Sequence, residues 1–201
     1  MPSYCIHLAI GNLYAKKNNV RDKVAFDAGV IAPDFAKDKE KSHYSAPRDK
    51  SNLVDFLAKK VQLAKFLETN DISSDYKKGE FLHLVTDYIY FTQFFTAEQF
   101  EKYGDDFMTT MYYSYDCIKE HVEEKYDVVY PGDLAVVMQA IDEKRKLLGF
   151  DKGVTKDNIL PNEKLDRFIE FCADIDLDKF SSKVKKSCQN VVADEGCFEW
   201  I

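Results

Sequence analysis

The sequence predicts an all-α fold, a single multi-helix domain over 1–201. Apolar residues recur at helical spacing through most of the chain. Strand-like alternation is limited to short pieces such as 127–130. Serines and prolines stand where apolar stripes begin or stop, as helix boundaries require. At 201 residues the chain can bury one large core, and no internal repeat, low-complexity tract or linker divides it.

The first helix is expected over 3–17, where Tyr4, Ile6, Leu8, Ile10 and Leu13 form a buried segment. A short second helix covers 20–30, with Val24, Phe26 and Val30 apolar. Pro33 then breaks the chain, because the residue before a proline is pushed toward extended geometry. Residues 31–50 read as a polar loop rich in Lys and Asp. Loops of that length inside a compact domain are usually functional or disordered. Ser51 caps a third helix, with Leu53, Phe56, Leu57, Val61, Ala64 and Leu67 on one stripe. Ser73 or Ser74 caps a long fourth helix running to about Phe95. Its centre, FLHLVTDYIYFTQFF, is apolar nearly all round and belongs inside the core. A fifth helix is expected over 105–127, and a sixth from Pro131-Gly132 to about Leu148. Two more cover 162–173 and 177–193, with Leu165, Phe168, Ile169 and Cys172 at helical spacing in the former.

Composition narrows the class. Aromatic residues make up 14% and charged residues 31%, which fits a folded domain with a charged surface. The net charge of −7, without a dense Lys/Arg block, argues against an extended nucleic-acid surface. It leaves room for one small phosphoester, since a bound cation can supply local positive charge. No stretch reaches the roughly 18 apolar residues that span a bilayer. The N-terminal residues lack the basic leader and long apolar run of a signal peptide. Five scattered cysteines show neither CxxC nor zinc-knuckle spacing, so reduced thiols and a cytoplasmic location are expected. Nothing in the sequence sets an oligomeric state.

Three of the four histidines lie in segments suited to a buried metal site. His7 is on the first helix. Asp34 follows a proline, which aims its carboxylate away from regular structure, and His43 lies in the loop as Ser42-His43-Tyr44. His83 and Asp87 are four apart, so they share one face of the apolar fourth helix. A polar pair in such a helix costs several kcal/mol if unsatisfied (about 2–7 for a neutral group). Metal ligation is one way to satisfy it. Imidazole and carboxylate suit zinc, and manganese and iron share such ligands.

The ordered series His7, Ala32-Pro33-Asp34, Ser42-His43 and His83-x-x-x-Asp87 resembles the zinc-dependent phospholipase C family. That family's all-helical fold is shared with single-strand-specific fungal nucleases. The segment MPSYCIHLAIGNLY looks like the family's short intracellular bacterial branch. The resemblance covers roughly the first half of the chain. It implies a metal-dependent phosphoester hydrolase acting on a small phosphoester. Asp34, His43, His83 and Asp87 would hold one zinc, and Asp87 would bridge to a second zinc bound by His7. Asp34 would double as the catalytic general base. The secreted members bind one zinc through an N-terminal tryptophan and another through two further histidines and a glutamate. Here the one tryptophan is Trp200 and only His121 remains, so one or two ions are expected rather than three.

Other features have plainer readings. His121, among Glu120, Glu123 and Glu124, reads as part of a solvated helix face. Lys37, Lys39 and Lys41 alternate with acidic residues as solvated loops do, although they could attract a phosphate. The tyrosine-rich run 111–115 suits packing or the mouth of a pocket. The chain has no His-Asp dipeptide, no HExxH and no glycine-rich phosphate loop. Ser42 and Ser45 have no nucleophile elbow around them. The alternative from another class is a non-catalytic binding or regulatory domain that retains a structural metal site.

Overall fold

The computed structural model describes residues 3–46, 59–130, 139, 143 and 157–187. Their regular structure is all helical, with no strand among the described residues, so the all-α expectation holds. The predicted sixth helix falls almost wholly outside them. No helix among them is long and apolar enough to cross a membrane.

Helix α1 spans Tyr4–Lys17, as expected, and buries Cys5 through Gly11. Helix α2 spans Lys23–Phe35, starting later and ending later than the sequence suggested. Asp22 caps it by accepting from the Ala25 N–H at 3.0 Å. Pro33 does not break it but lies inside its last turn. There its missing N–H costs one bond, to the carbonyl of Gly29, and the helix has only two residues left to run. The expected polar loop contains a single helical turn, α3, at Lys39–Ser42, capped by Asp38 on the Lys41 N–H. Tyr44 follows with φ of 56°, a left-handed turn that reverses the chain behind His43.

The predicted third helix is interrupted at 59–62, which are not helical. Ser51, Leu53, Phe56 and Leu57 lie outside the described residues, and α4 begins only at Leu63 and ends at Thr69. The backbone of 59–62 is engaged elsewhere. Lys59 O accepts from Ala46 N, Lys60 O from Ser45 Oγ, and Gln62 N donates to His43 O. These bonds straighten the segment against the chain that leaves His43.

Ser74 caps α5, Asp75–Ile89, which continues as a π-helical turn over Tyr90–Phe94. A short helix that the sequence reading missed, α6 at Ala97–Tyr103, starts with a capping box between Thr96 and Gln99. After a 3₁₀ turn, α7 runs Phe107–Lys125. Helices α8, Asn162–Ala173, and α9, described over Leu177–Ser187, follow the two C-terminal expectations.

The core is aromatic. Tyr90, Phe94 and Phe168 pack with centroids 5.1–5.5 Å apart, and Phe95 meets Phe107 edge-on at 4.9 Å. The site is placed by a closer contact, between α2 and α5. A Cβ built on Gly79 would lie 2.9 Å from Val30 N and nearer still to Phe26 O. One on Gly29 would overlap Tyr76 O. The two backbones therefore touch through paired glycines, and no other residue fits at either place. Gly11 of α1 faces the Val30 side chain at the same crossing. His7 and His83 stand one turn from Gly11 and Gly79, and Asp34 lies five residues past Gly29.

Candidate metal centre

The structure brings His7, Asp34, His43, His83 and Asp87 together from four helical elements. All five are buried, none more than 4% exposed. His7 comes from α1, Asp34 from the end of α2, His43 from the C-cap of α3, and His83 and Asp87 from α5. Their ligating atoms form two overlapping groups, His7–His83–Asp87 and Asp34–His43–His83, each drawn within 4.8 Å.

Two main-chain carbonyls orient the imidazoles. His83 Nδ1–H donates to Val30 O at 2.8 Å, across the glycine-paired crossing. His43 Nδ1–H donates to Lys39 O at 2.8 Å. Ser42 Oγ, 3.0 Å from the same Nδ1, sends its own proton to Pro33 O at 2.7 Å. With both Nδ1 atoms engaged, the Nε2 atoms of the two rings face each other at 3.2 Å. Burial, followed by the neighbouring His7, holds the pKa of His83 well below the usual imidazole range, so His83 is neutral.

Asp87 faces the same point. Its Oδ2 lies 3.2 Å from His43 Nε2 and 3.8 Å from His83 Nε2, and its Oδ1 lies 3.3 Å from His7 Nε2. Both oxygens are buried without an aligned hydrogen bond, as are both His7 nitrogens and Asp34 Oδ1. Burial pushes the Asp87 pKa up, but His43 and His7 beside it more than reverse this, so it falls well below the usual carboxylate range. An ionised, buried carboxylate among imidazole Nε2 atoms calls for a shared positive charge, a proton or a metal cation.

A cation fits the geometry. The triangle of His43 Nε2, His83 Nε2 and Asp87 Oδ2 has sides of 3.2, 3.2 and 3.8 Å. Its circumradius is about 2.0 Å, the usual bond length from zinc to nitrogen or carboxylate oxygen. Asp34 Oδ1, 3.7 Å from His43 Nε2, is the fourth candidate donor. His7 stacks on His83 with centroids 3.9 Å apart. Because Val30 occupies Nδ1 of His83, only Nε2 is left to share, and the two groups compete for it.

The surroundings are aromatic. Burial, and then the charge of Asp34, raises the pKa of Tyr4; burial is also the main cause for Tyr90 and Tyr115, with Asp87 adding to both. All three are neutral phenols near the carboxylates. Phe35, next to Asp34, is 40% exposed and packs on Tyr4 at 5.2 Å. Lys39 Nζ approaches Asp34 Oδ1 at 3.7 Å from the solvent side.

His121 is not on a solvated face. It is half-buried on α7 and pairs with Asp166 of α8 at 3.0 Å, rather than with a neighbouring glutamate. Sequence reasoning missed Val30 and Lys39, which act through their backbones. Lys39 stands four residues before His43, a spacing that helical periodicity could have exposed. Val30 lies 53 residues from His83, and no local signal links them. Comparison of the chain with protein-family models, curated proteins and solved structures gave no match, so the case for function rests on the geometry.

Proposed function

We propose that the protein is a metal-dependent hydrolase of phosphoester bonds with zinc as its resident cation, akin to the zinc-dependent phospholipase C family. One observation carries the proposal: two imidazole Nε2 atoms and a buried carboxylate oxygen surround a point about 2.0 Å from each. Two nitrogens with carboxylate oxygens form a donor set that zinc favours and that manganese and iron also accept. A bound zinc supplies a Lewis acid and lowers the pKa of a coordinated water toward neutrality.

The chain's own residues do the rest. Val30 O and Lys39 O fix the ring orientations of His83 and His43. Asp34, at 4% the most exposed of the five, is the carboxylate placed to accept a proton from a water entering at that edge. Asp87 directs Oδ2 to His43 and Oδ1 to His7, so it would serve as a donor beside either histidine. Among the described residues the second position then has His7 and Asp87 alone, because His83 serves the first. One tightly held ion and a weaker second is the arrangement these donors support.

The test is turnover of a panel of phosphodiesters and phosphomonoesters by zinc- or manganese-loaded protein. Asp34→Asn should slow hydrolysis about 100-fold or more, since it removes ligand charge and proton acceptor together. His7→Ala should harm activity more than folding, and His121→Ala should leave the rate near that of the wild type. No turnover on the panel, with one equivalent of metal bound, refutes the proposal. The near-complete burial of the five side chains favours a second reading, a non-catalytic binding or regulatory domain with a structural cation. Cobalt substitution separates the two: a spectrum that phosphate perturbs marks an open position, and one it leaves unchanged marks a closed shell.

A further inference from the structure

We propose that Lys39 forms an anion subsite beside the cation site and receives a phosphate oxygen of the substrate. This inference rests on the metal reading above and assigns recognition of the phosphoryl group to a particular side chain. Three observations support it. Lys39 Nζ lies 3.7 Å from Asp34 Oδ1, a buried oxygen without a hydrogen-bond partner. The Lys39 side chain is 49% exposed while the Asp34 side chain is 2% exposed, so the ammonium spans from solvent to the rim of the buried cluster. Finally, the Lys39 main chain is pinned, because its carbonyl accepts from both the ring Nδ1–H and the backbone N–H of His43. The stem of the side chain therefore starts from a fixed point beside the site. Lys37 and Lys41 are exposed as well, but neither side chain has a comparable contact.

The charge balance explains the role. Asp34 and Asp87 carry two negative charges, and Lys39 offsets part of the first. A divalent cation held by these donors neutralises the carboxylates and weakens the hold of Asp34 on the ammonium. The ammonium is then released to a ligand carrying several anionic oxygens, which can meet both the cation and the lysine. A phosphate has the oxygens to do so, one toward the buried cluster and another toward Nζ. Lys39 acts here as a point charge on a flexible stem, able to leave Asp34 and turn to the ligand without moving α3.

The experiment uses the full-length chain loaded with one equivalent of zinc and titrated with inorganic phosphate, followed by calorimetry and by phosphorus NMR. The variants are Lys39→Met and Lys39→Arg, with zinc affinity measured in parallel by competition with a chromogenic chelator. Lys39→Met should weaken phosphate binding about tenfold or more, as expected for loss of a charge-assisted contact. Lys39→Arg should retain most of it. Zinc affinity of Lys39→Met should equal or exceed that of the wild type, because a competing positive charge has gone while the backbone carbonyl on His43 remains. Equal phosphate affinity in wild type and Lys39→Met overturns the subsite while leaving the cation site intact. A large loss of zinc affinity in Lys39→Met also overturns it, by showing that the side chain is structural. If the wild type takes up no cation at all, the metal reading falls and the subsite falls with it.

Discussion

Replacing Gly79 with alanine adds one methyl group where α2 and α5 touch, one turn below His83. The new Cβ would sit 2.9 Å from Val30 N and closer to Phe26 O, against ordinary carbon contacts of about 3.5–4.0 Å. The helices must part by about 1 Å to admit it. The bond from His83 Nδ1 to Val30 O crosses that seam at 2.8 Å, so a 1 Å opening breaks it. Overpacking costs about 1–3 kcal/mol and the lost hydrogen bond about 1 kcal/mol, while alanine's better helix propensity returns about 1 kcal/mol. A net loss of about 2 kcal/mol lowers the melting temperature by about 4–8 °C for a chain of this size. Freeing a ligand from its orienting partner should also weaken zinc binding about 10- to 100-fold, although Gly79 itself touches no ion. Gly11→Ala is the control. Its Cβ meets a Val30 methyl group at 3.2 Å, and a side chain can yield where a backbone cannot, so the cost should stay below about 1 kcal/mol. Thermal denaturation and zinc competition on both variants decide the matter. A Gly79→Ala protein with wild-type melting temperature and wild-type zinc affinity would refute the claim that this crossing builds the site.

Chelation should lower the wild-type melting temperature, because the buried Asp87 then loses the cation's charge; His83→Ala should lose most of that sensitivity, as read by melting curves with and without chelator. Asp166 accepts from Lys125, His121 and Tyr126, which outweigh burial and hold its pKa below the ordinary value. A depressed folded-state pKa contributes stability above about pH 4 that is lost as the pH falls through the folded value. The stability gap between wild type and Asp166→Asn should therefore narrow below about pH 4 in urea titrations, while zinc uptake at neutral pH is unchanged. Thr96→Ala removes the hydroxyl that caps α6 on Gln99 N and should cost about 1 kcal/mol by the same titration.

What the sequence disclosed and what it hid divide along physical lines. The spacing of His83 and Asp87 on one helical face is a local property, and it could be read directly. Ser74 as a cap and the stripe of 162–173 are equally local. The stop assigned to Pro33 failed because proline costs little in a helix's final turn, and α2 ends at Phe35. The helix expected through 59–62 failed for a non-local reason, since that backbone bonds to residues 43–46. The short α6 was legible in Thr96-x-x-Gln99 and went unread. Gly29 and Gly79, counted among eight scattered glycines, owe their importance to a helix crossing that joins positions 50 apart. The pairing of His121 with Asp166 is hidden in the same way.

The two carbonyls that hold the imidazoles belong to Val30 and Lys39, yet any amino acid carries a carbonyl. Such a support leaves no trace in residue identity. Over evolutionary time, positions 30 and 39 could drift in side chain without releasing either ring, subject only to packing at 30. A lineage that keeps this architecture needs to preserve a few histidines and aspartates and the small residues at the crossing, spread over some 80 positions. Pairwise similarity between such chains can decay to the level of chance while the centre survives. Relatives would then be found more readily by superposing ligand atoms and helix crossings than by aligning letters.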